Sequence, residues 1–140
     1  MNNINLQTAL ITPLTPDGRL DEEVLDRLIR RILAAPMIDF SILGSTGEGA
    51  GASLTLRRQM REAVLKRIQG QREVYTGVMG TVQDDIYRDI DALRDLNLTG
   101  LLIPSPSYYL MDSQYVEKFY QDVADFASVP IIERAVKPLG

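Results

Sequence analysis

Five short β-rich runs recur along the chain at intervals of roughly 30 residues, with longer stretches of helical periodicity between them. They are Leu6 to Thr12, Phe40 to Leu43, Glu73 to Met79, Leu101 to Ile103 and Val129 to Ile132. The interval matches one strand plus a crossover helix, so the rhythm predicts an α/β fold whose parallel strands are joined by right-handed crossovers. A doubly wound sheet and a sector of a (β/α)8 barrel both satisfy it. A whole barrel takes about 250 residues. The 140 residues here would supply four βα units and a fifth strand, half of such a barrel.

The helices are legible from their stripes. From about Asp21, Val24, Leu25, Leu28, Ile29, Ile32 and Leu33 share a face, and Pro36 ends the helix. A second helix, Leu54 to Ile68, turns Met60, Val64, Leu65 and Ile68 inward and is expected to cap at Gly70. Thr81 with Asp84 reads as a capping box for a third, with Ile86, Ile90 and Leu93 buried. A fourth runs from about Ser113 to Phe126.

With no cysteine and no histidine, any chemistry must use hydroxyls, carboxylates, lysine or arginine. The net charge is −4 and the basic residues are interleaved with acids, which argues against nucleic acid and anionic membranes as partners. No basic-then-apolar leader opens the sequence and no apolar run approaches the roughly 20 residues that span a bilayer. A cytoplasmic location is the default expectation.

Both architectures bind ligands at the C-terminal ends of the strands. The segment after the second run, Gly44-Ser45-Thr46-Gly47-Glu48-Gly49, is the most informative. It sets two adjacent hydroxyls between glycines that let backbone amides approach a carboxylate or carbonyl oxygen. It has neither the Lys-Ser/Thr ending of a phosphate loop nor the dinucleotide spacing. A glycine-rich βα turn with no ligand is the competing reading.

Four segments together carry a resemblance. Ala9 to Leu14 with Asp17-Gly18, then Gly44 to Glu48, then Gly77-Val78, then Pro106-Ser107-Tyr108 resemble the dihydrodipicolinate synthase and N-acetylneuraminate lyase family in order and spacing, over residues 4 to about 132. The resemblance implies a TIM barrel whose N-terminal half is residues 1–132, with 133–140 a divergent tail. It implies lyase or aldolase chemistry on pyruvate or another 2-keto acid held as a Schiff base on a lysine, without cofactor or metal. Carried over residue by residue, Ser45 takes the proton-relay hydroxyl, and Thr46 grips the keto-acid carboxylate with Gly44 and Gly47 beside it. Tyr108 takes the relay tyrosine that reaches a neighbouring subunit, and Glu48 is expected to position the loop through hydrogen bonds.

The departures from the family pattern bear on activity. Arg134 stands where the resemblance expects a general acid/base tyrosine, and a guanidinium with pKa above about 12 cannot shuttle that proton near neutrality. The family's Schiff-base lysine lies on a sixth strand, beyond residue 140. Lys66, Lys118 and Lys137 are not placed to replace it. The chain is therefore expected to be a truncated member, inactive alone, or else an interaction module that self-associates or pairs with another barrel half or a full-length paralogue. An open inner face lined by Ile11, Leu43, Val78 and Ile103 would drive such pairing. A few hundred Å² of apolar surface left in water forfeits on the order of 10 kcal/mol.

Overall fold

The computed structural model describes residues 6–105 and 112–133. Five parallel strands, β1 (Leu6–Ala9), β2 (Ile38–Ile42), β3 (Val74–Gly77), β4 (Gly100–Ile103) and β5 (Ile131–Glu133), lie side by side in the order β1-β2-β3-β4-β5. Four helices, α1 (Glu22–Leu33), α2 (Leu54–Ile68), α3 (Gln83–Asp91) and α4 (Ser113–Phe126), fill the crossovers. This order settles the architecture. A doubly wound sheet reverses its strand order at a switch point, whereas here sequence order and spatial order coincide throughout. The sheet is a sector of a (β/α)8 barrel.

Strand parity decides which residues the helices cover. Phe40, Ile42, Val74, Leu101 and Ile103 are buried against Leu25 and Ile29 of α1, Met60 and Val64 of α2, Ile86 and Ile90 of α3, and Phe119 and Val123 of α4. Alternation turns Ser41, Tyr75, Leu102 and Ile132 to the concave side. The expected inner-face set is corrected here. Leu43, Val78 and Ile103 are wholly buried and only Ile11 is exposed. The face left open is a mixture of small, polar and apolar residues.

Local chemistry fixes the helix ends. Asp21 caps α1 by accepting the Val24 amide, and Asp112 caps α4 by accepting that of Tyr115. The expected capping box at Thr81 does not form. Helix α3 starts later, with Val82 at its N-cap and no side-chain cap bond, and relies on Asp84 and Asp85 in its first turn. Helix α2 has the predicted bounds, but Gln69 (φ 50°) takes the left-handed cap position ahead of Gly70 (φ 73°). Between β1 and α1, Leu14 and Leu20 bridge antiparallel around Asp17 and Gly18, where the glycine adopts φ 81°. Among the described residues no helix is long and apolar enough to cross a membrane.

Candidate functional site

The C-terminal ends of β1, β2 and β3 converge on Leu43. This leucine is fully buried yet has φ 54°, a left-handed conformation that costs a non-glycine residue about 1–2 kcal/mol. Its neighbours hold it there. The Leu43 carbonyl lies so close to Gly49 and Gly77 that a Cβ on either would stand 2.0 Å from its oxygen. A Cβ on Gly47 would stand 2.9 Å from both the Leu10 carbonyl oxygen and the Leu43 nitrogen. Thr12, at the end of the first run, donates its hydroxyl to the Gly47 carbonyl at 2.7 Å.

Residues 44–52 then close on themselves. The Glu48 amide donates to the Ser45 carbonyl and the Gly49 amide to the Gly44 carbonyl, both at 3.2 Å. A single turn of 3-10 helix over Gly49–Gly51 follows, with Glu48 at its N-cap in the left-handed region (φ 51°). The Glu48 amide thus donates into the turn, while its side chain makes no cap bond. Ser45 and Thr46 stand exposed on the outer side of the turn and Gly44 is half-buried. Gly44 differs from Gly47 and Gly49 in that a Cβ there meets nothing within 4 Å and its φ is not positive. Nothing in the fold of the described residues requires it to lack a side chain.

Ser45 lines a cavity of about 550 Å³ together with Arg57, Met79, Thr81, Asp85 and Ser105, drawn from the turn, the starts of α2 and α3, and the loops after β3 and β4. Of the expected site residues Ser45 lines the mouth of this cavity, Gly44 and Thr46 are its chain neighbours, and Gly47 is buried against the Leu10 and Leu43 backbone. Tyr108 and Arg134 lie outside the described residues. Among the described residues no group of three or more carboxylates is placed to hold a metal ion.

Behind the cavity sits a charged cluster that the hydrophobic pattern did not reveal. Arg61 and Asp89 are wholly buried and meet through two contacts, Nη1 to Oδ1 at 2.6 Å and Nη2 to Oδ2 at 3.1 Å. Arg61 also donates to the Thr76 hydroxyl at 3.0 Å and the Gly77 carbonyl at 2.9 Å. Arg57 donates to the second Asp89 oxygen at 3.0 Å. The signal was present in the spacing: Arg57 and Arg61 fall on the same α2 stripe as Met60, Val64 and Ile68, and Asp89 falls between Ile86 and Ile90. Opposite charges on two facing buried stripes imply an ion pair between the helices.

One further titratable group sits on the concave side. Tyr75 donates its hydroxyl to Glu73 at 2.6 Å, and that acceptor, with burial and the nearby Asp39, pushes the phenol up to about 12.

Comparisons with known proteins agree on one family. The Dihydrodipicolinate synthetase family matches residues 2–134. A 4-hydroxy-tetrahydrodipicolinate synthase from Protochlamydia amoebophila is 33% identical over 127 residues, 90% of this chain and 42% of the relative. A trans-O-hydroxybenzylidenepyruvate hydratase-aldolase from Pseudomonas aeruginosa is 26% identical over 84% of this chain and 37% of its own length. The crystal structure of a dihydrodipicolinate synthase from Acinetobacter baumannii, solved with pyruvate, superposes with TM-score 0.89 at 20% identity, over 94% of this chain and 45% of that one. The chain spans less than half the length of these relatives.

Proposed function

This chain belongs to the Dihydrodipicolinate synthetase family, and from that footing we propose that it carries the 2-keto-acid-binding part of a lyase or aldolase site that works through a lysine Schiff base. Thr46 and the amides around Gly44 and Gly47 receive the keto-acid carboxylate, Ser45 supplies the relay hydroxyl, and Tyr108 extends the relay into a neighbouring subunit. The observation that carries this reading is Gly44. Gly47 and Gly49 are glycines because Leu43 and Leu10 leave no room for a side chain, but Gly44 has that room. Gly51 has the same room, so it is the place of Gly44 just after β2 and beside Ser45 that suits a ligand oxygen drawn close to the backbone.

The same reading makes these 140 residues inactive alone. A Schiff-base lysine needs a depressed pKa, obtained by burial or a cationic neighbour. Lys66 is exposed on α2. Lys118 is exposed on α4, and its ion pair with Asp122 at 3.0 Å raises its pKa, the wrong direction for a nucleophile. Lys137 lies outside the described residues. Incubation with pyruvate and borohydride, followed by intact mass measurement, should give no adduct, while a pyruvate titration should move the Ser45 and Thr46 amide signals. A stoichiometric adduct would overturn the inactivity, and unmoved amides the site.

A second reading, an interaction module that pairs with another barrel half or a full-length paralogue, draws on a different observation. β1 and β5 are both edge strands of the described sheet, and open parallel edges recruit further strands. Light scattering after size exclusion, alone and with a paralogue, separates the two: a mixed complex favours pairing, and an unassociated monomer removes it.

A further inference from the structure

We infer that Arg57 is the positioning residue of the 44–52 turn, the side chain that locks the turn against the β3–α3 loop and so sets the geometry at Ser45 and Thr46. The inference rests on reading that turn as the keto-acid site.

One guanidinium makes four sets of contacts. Its Nε donates to the Ala52 carbonyl at 2.9 Å, and Nη2 to the Ala50 carbonyl at 3.4 Å. Its Nη1 donates to the Met79 carbonyl at 3.0 Å, beyond the end of β3, and to Asp89 on α3 at 3.0 Å. Ala50 sits in the 3-10 turn whose Gly49 amide holds the Gly44 carbonyl, so Arg57 is two links from the residues at the mouth. Asp89 orients it, because Arg61 grips both carboxylate oxygens and leaves Oδ2 shared with Arg57.

The energetics argue against a purely stabilising role. A buried cluster with two cations to one carboxylate bears a desolvation penalty, and apolar residues of similar volume are often as stable or more so. What the cluster supplies is direction: a planar fork satisfies carbonyls on two loops at once, which a lysine ammonium on a flexible stem cannot do. Arg57 also reaches the wall of the cavity that Ser45 lines, where Asp85 stands as well, so its contribution there is orientation rather than net charge.

The test uses the full chain as Arg57→Lys and Arg57→Met. Hydrogen exchange is followed at the four turn amides, Glu48, Gly49, Gly51 and Ala52, and at the sheet amides of Phe40 and Leu101; pyruvate is titrated against the Ser45 and Thr46 signals. In both variants the turn amides should exchange at least about tenfold faster relative to the sheet amides, the factor expected for one lost charge-assisted hydrogen bond. Pyruvate binding should weaken by about the same factor. Equal acceleration of turn and sheet, or an unmoved turn, overturns the inference by making Arg57 a stability element only. Full recovery in Arg57→Lys overturns it too, since charge alone would then suffice. If Arg57→Met does not fold, Arg57→Lys decides alone. If wild type shows no response to pyruvate, the keto-acid reading fails, while the exchange ratio still tests the positioning role.

Discussion

Replacing Gly77 by alanine tests the packing on which the candidate site stands. The new methyl would lie 2.0 Å from the Leu43 carbonyl oxygen and 2.6 Å from its carbon, where ordinary contact begins at 3.4 Å. Relief therefore requires movement of about 1.4 Å (3.4 minus 2.0). Both partners are backbone and Leu43 is wholly buried, so no flexible side chain can absorb it. Overpacking of this kind costs about 1–3 kcal/mol. Displacing the Leu43–Gly44 peptide also puts at risk the bonds that the Gly44 and Ser45 carbonyls accept in the turn, about 1 kcal/mol each. The sum is about 3–5 kcal/mol, a large share of a typical stability of about 5–15 kcal/mol. Urea unfolding at fixed protein concentration, followed by far-UV ellipticity, measures it. Gly51→Ala, where a Cβ meets nothing within 4 Å, serves as the control and should stay within about 0.5 kcal/mol of wild type. Because Gly49 and Gly77 press on the same carbonyl, the double alanine variant should depart from the sum of the singles by more than about 0.5 kcal/mol. A Gly77→Ala protein as stable as Gly51→Ala, or strict additivity, would refute the account of Leu43.

Three further outcomes follow from the electrostatics and capping. Asp89→Asn should cost about 3–5 kcal/mol, because it removes the carboxylate that compensates two inward-facing arginines, whereas Asp95→Asn, at the exposed bidentate contact with Arg58, should cost no more than about 1 kcal/mol; paired urea titrations compare them. Tyr75 holds its proton more tightly folded, with a pKa of about 12, than unfolded at about 10. The resulting stability is present below pH 10, neutrality included, and is lost as pH rises through 12, so Tyr75→Phe should lower stability at neutrality, where the bond to Glu73 is intact, and flatten the fall in that window. Asp21→Ala removes the α1 N-cap and should lower stability by about 1 kcal/mol, read from the same unfolding curves.

The fold was legible because its two periodicities do not interfere: apolar runs of period two mark strands, and stripes of period 3.6 mark helices. Helix α2 was readable closely, since its apolar stripe ends at Ile68, and its N-cap Ser53, which accepts the Leu56 amide, is seen only in the structure. Sequence runs overstated β1 and β3, because Leu10 and Val78 continue extended into the site loops, each keeping one ladder bond. Which face of the sheet stays open was misjudged for a definite reason. Val78 and Ile103 share the parity of Val74 and Leu101 and so belong with the helix-facing set, while Leu43 is one residue past β2 and in the left-handed region, so alternation no longer predicts its side. The turn at Ser45 could be located from its glycines, but not which glycine serves packing and which leaves space; that depends on distances to Leu10 and Leu43, which neither composition nor spacing encodes.

The corrected open face also changes where association should begin. Ser41 and Tyr75 are register partners on the concave side, as are Leu102 and Ile132, so that surface offers no continuous apolar patch to a second molecule. The most exposed large apolar side chains in the sheet region are instead at the β1 margin, Leu6 on the edge strand and Ile11 just beyond it. An edge offers a row of main-chain donors and acceptors, and lysine on an edge strand is an effective block to pairing. Leu6→Lys, on the β1 edge, should therefore lower the apparent mass of the chain in concentration-dependent light scattering, and Leu102→Ser and Ile132→Ser, paired on the concave face, should not. If the two concave-face variants lower the apparent mass and Leu6→Lys does not, association runs through the face. If wild type is a monomer at all concentrations, the edges of this sheet are protected by means other than pairing.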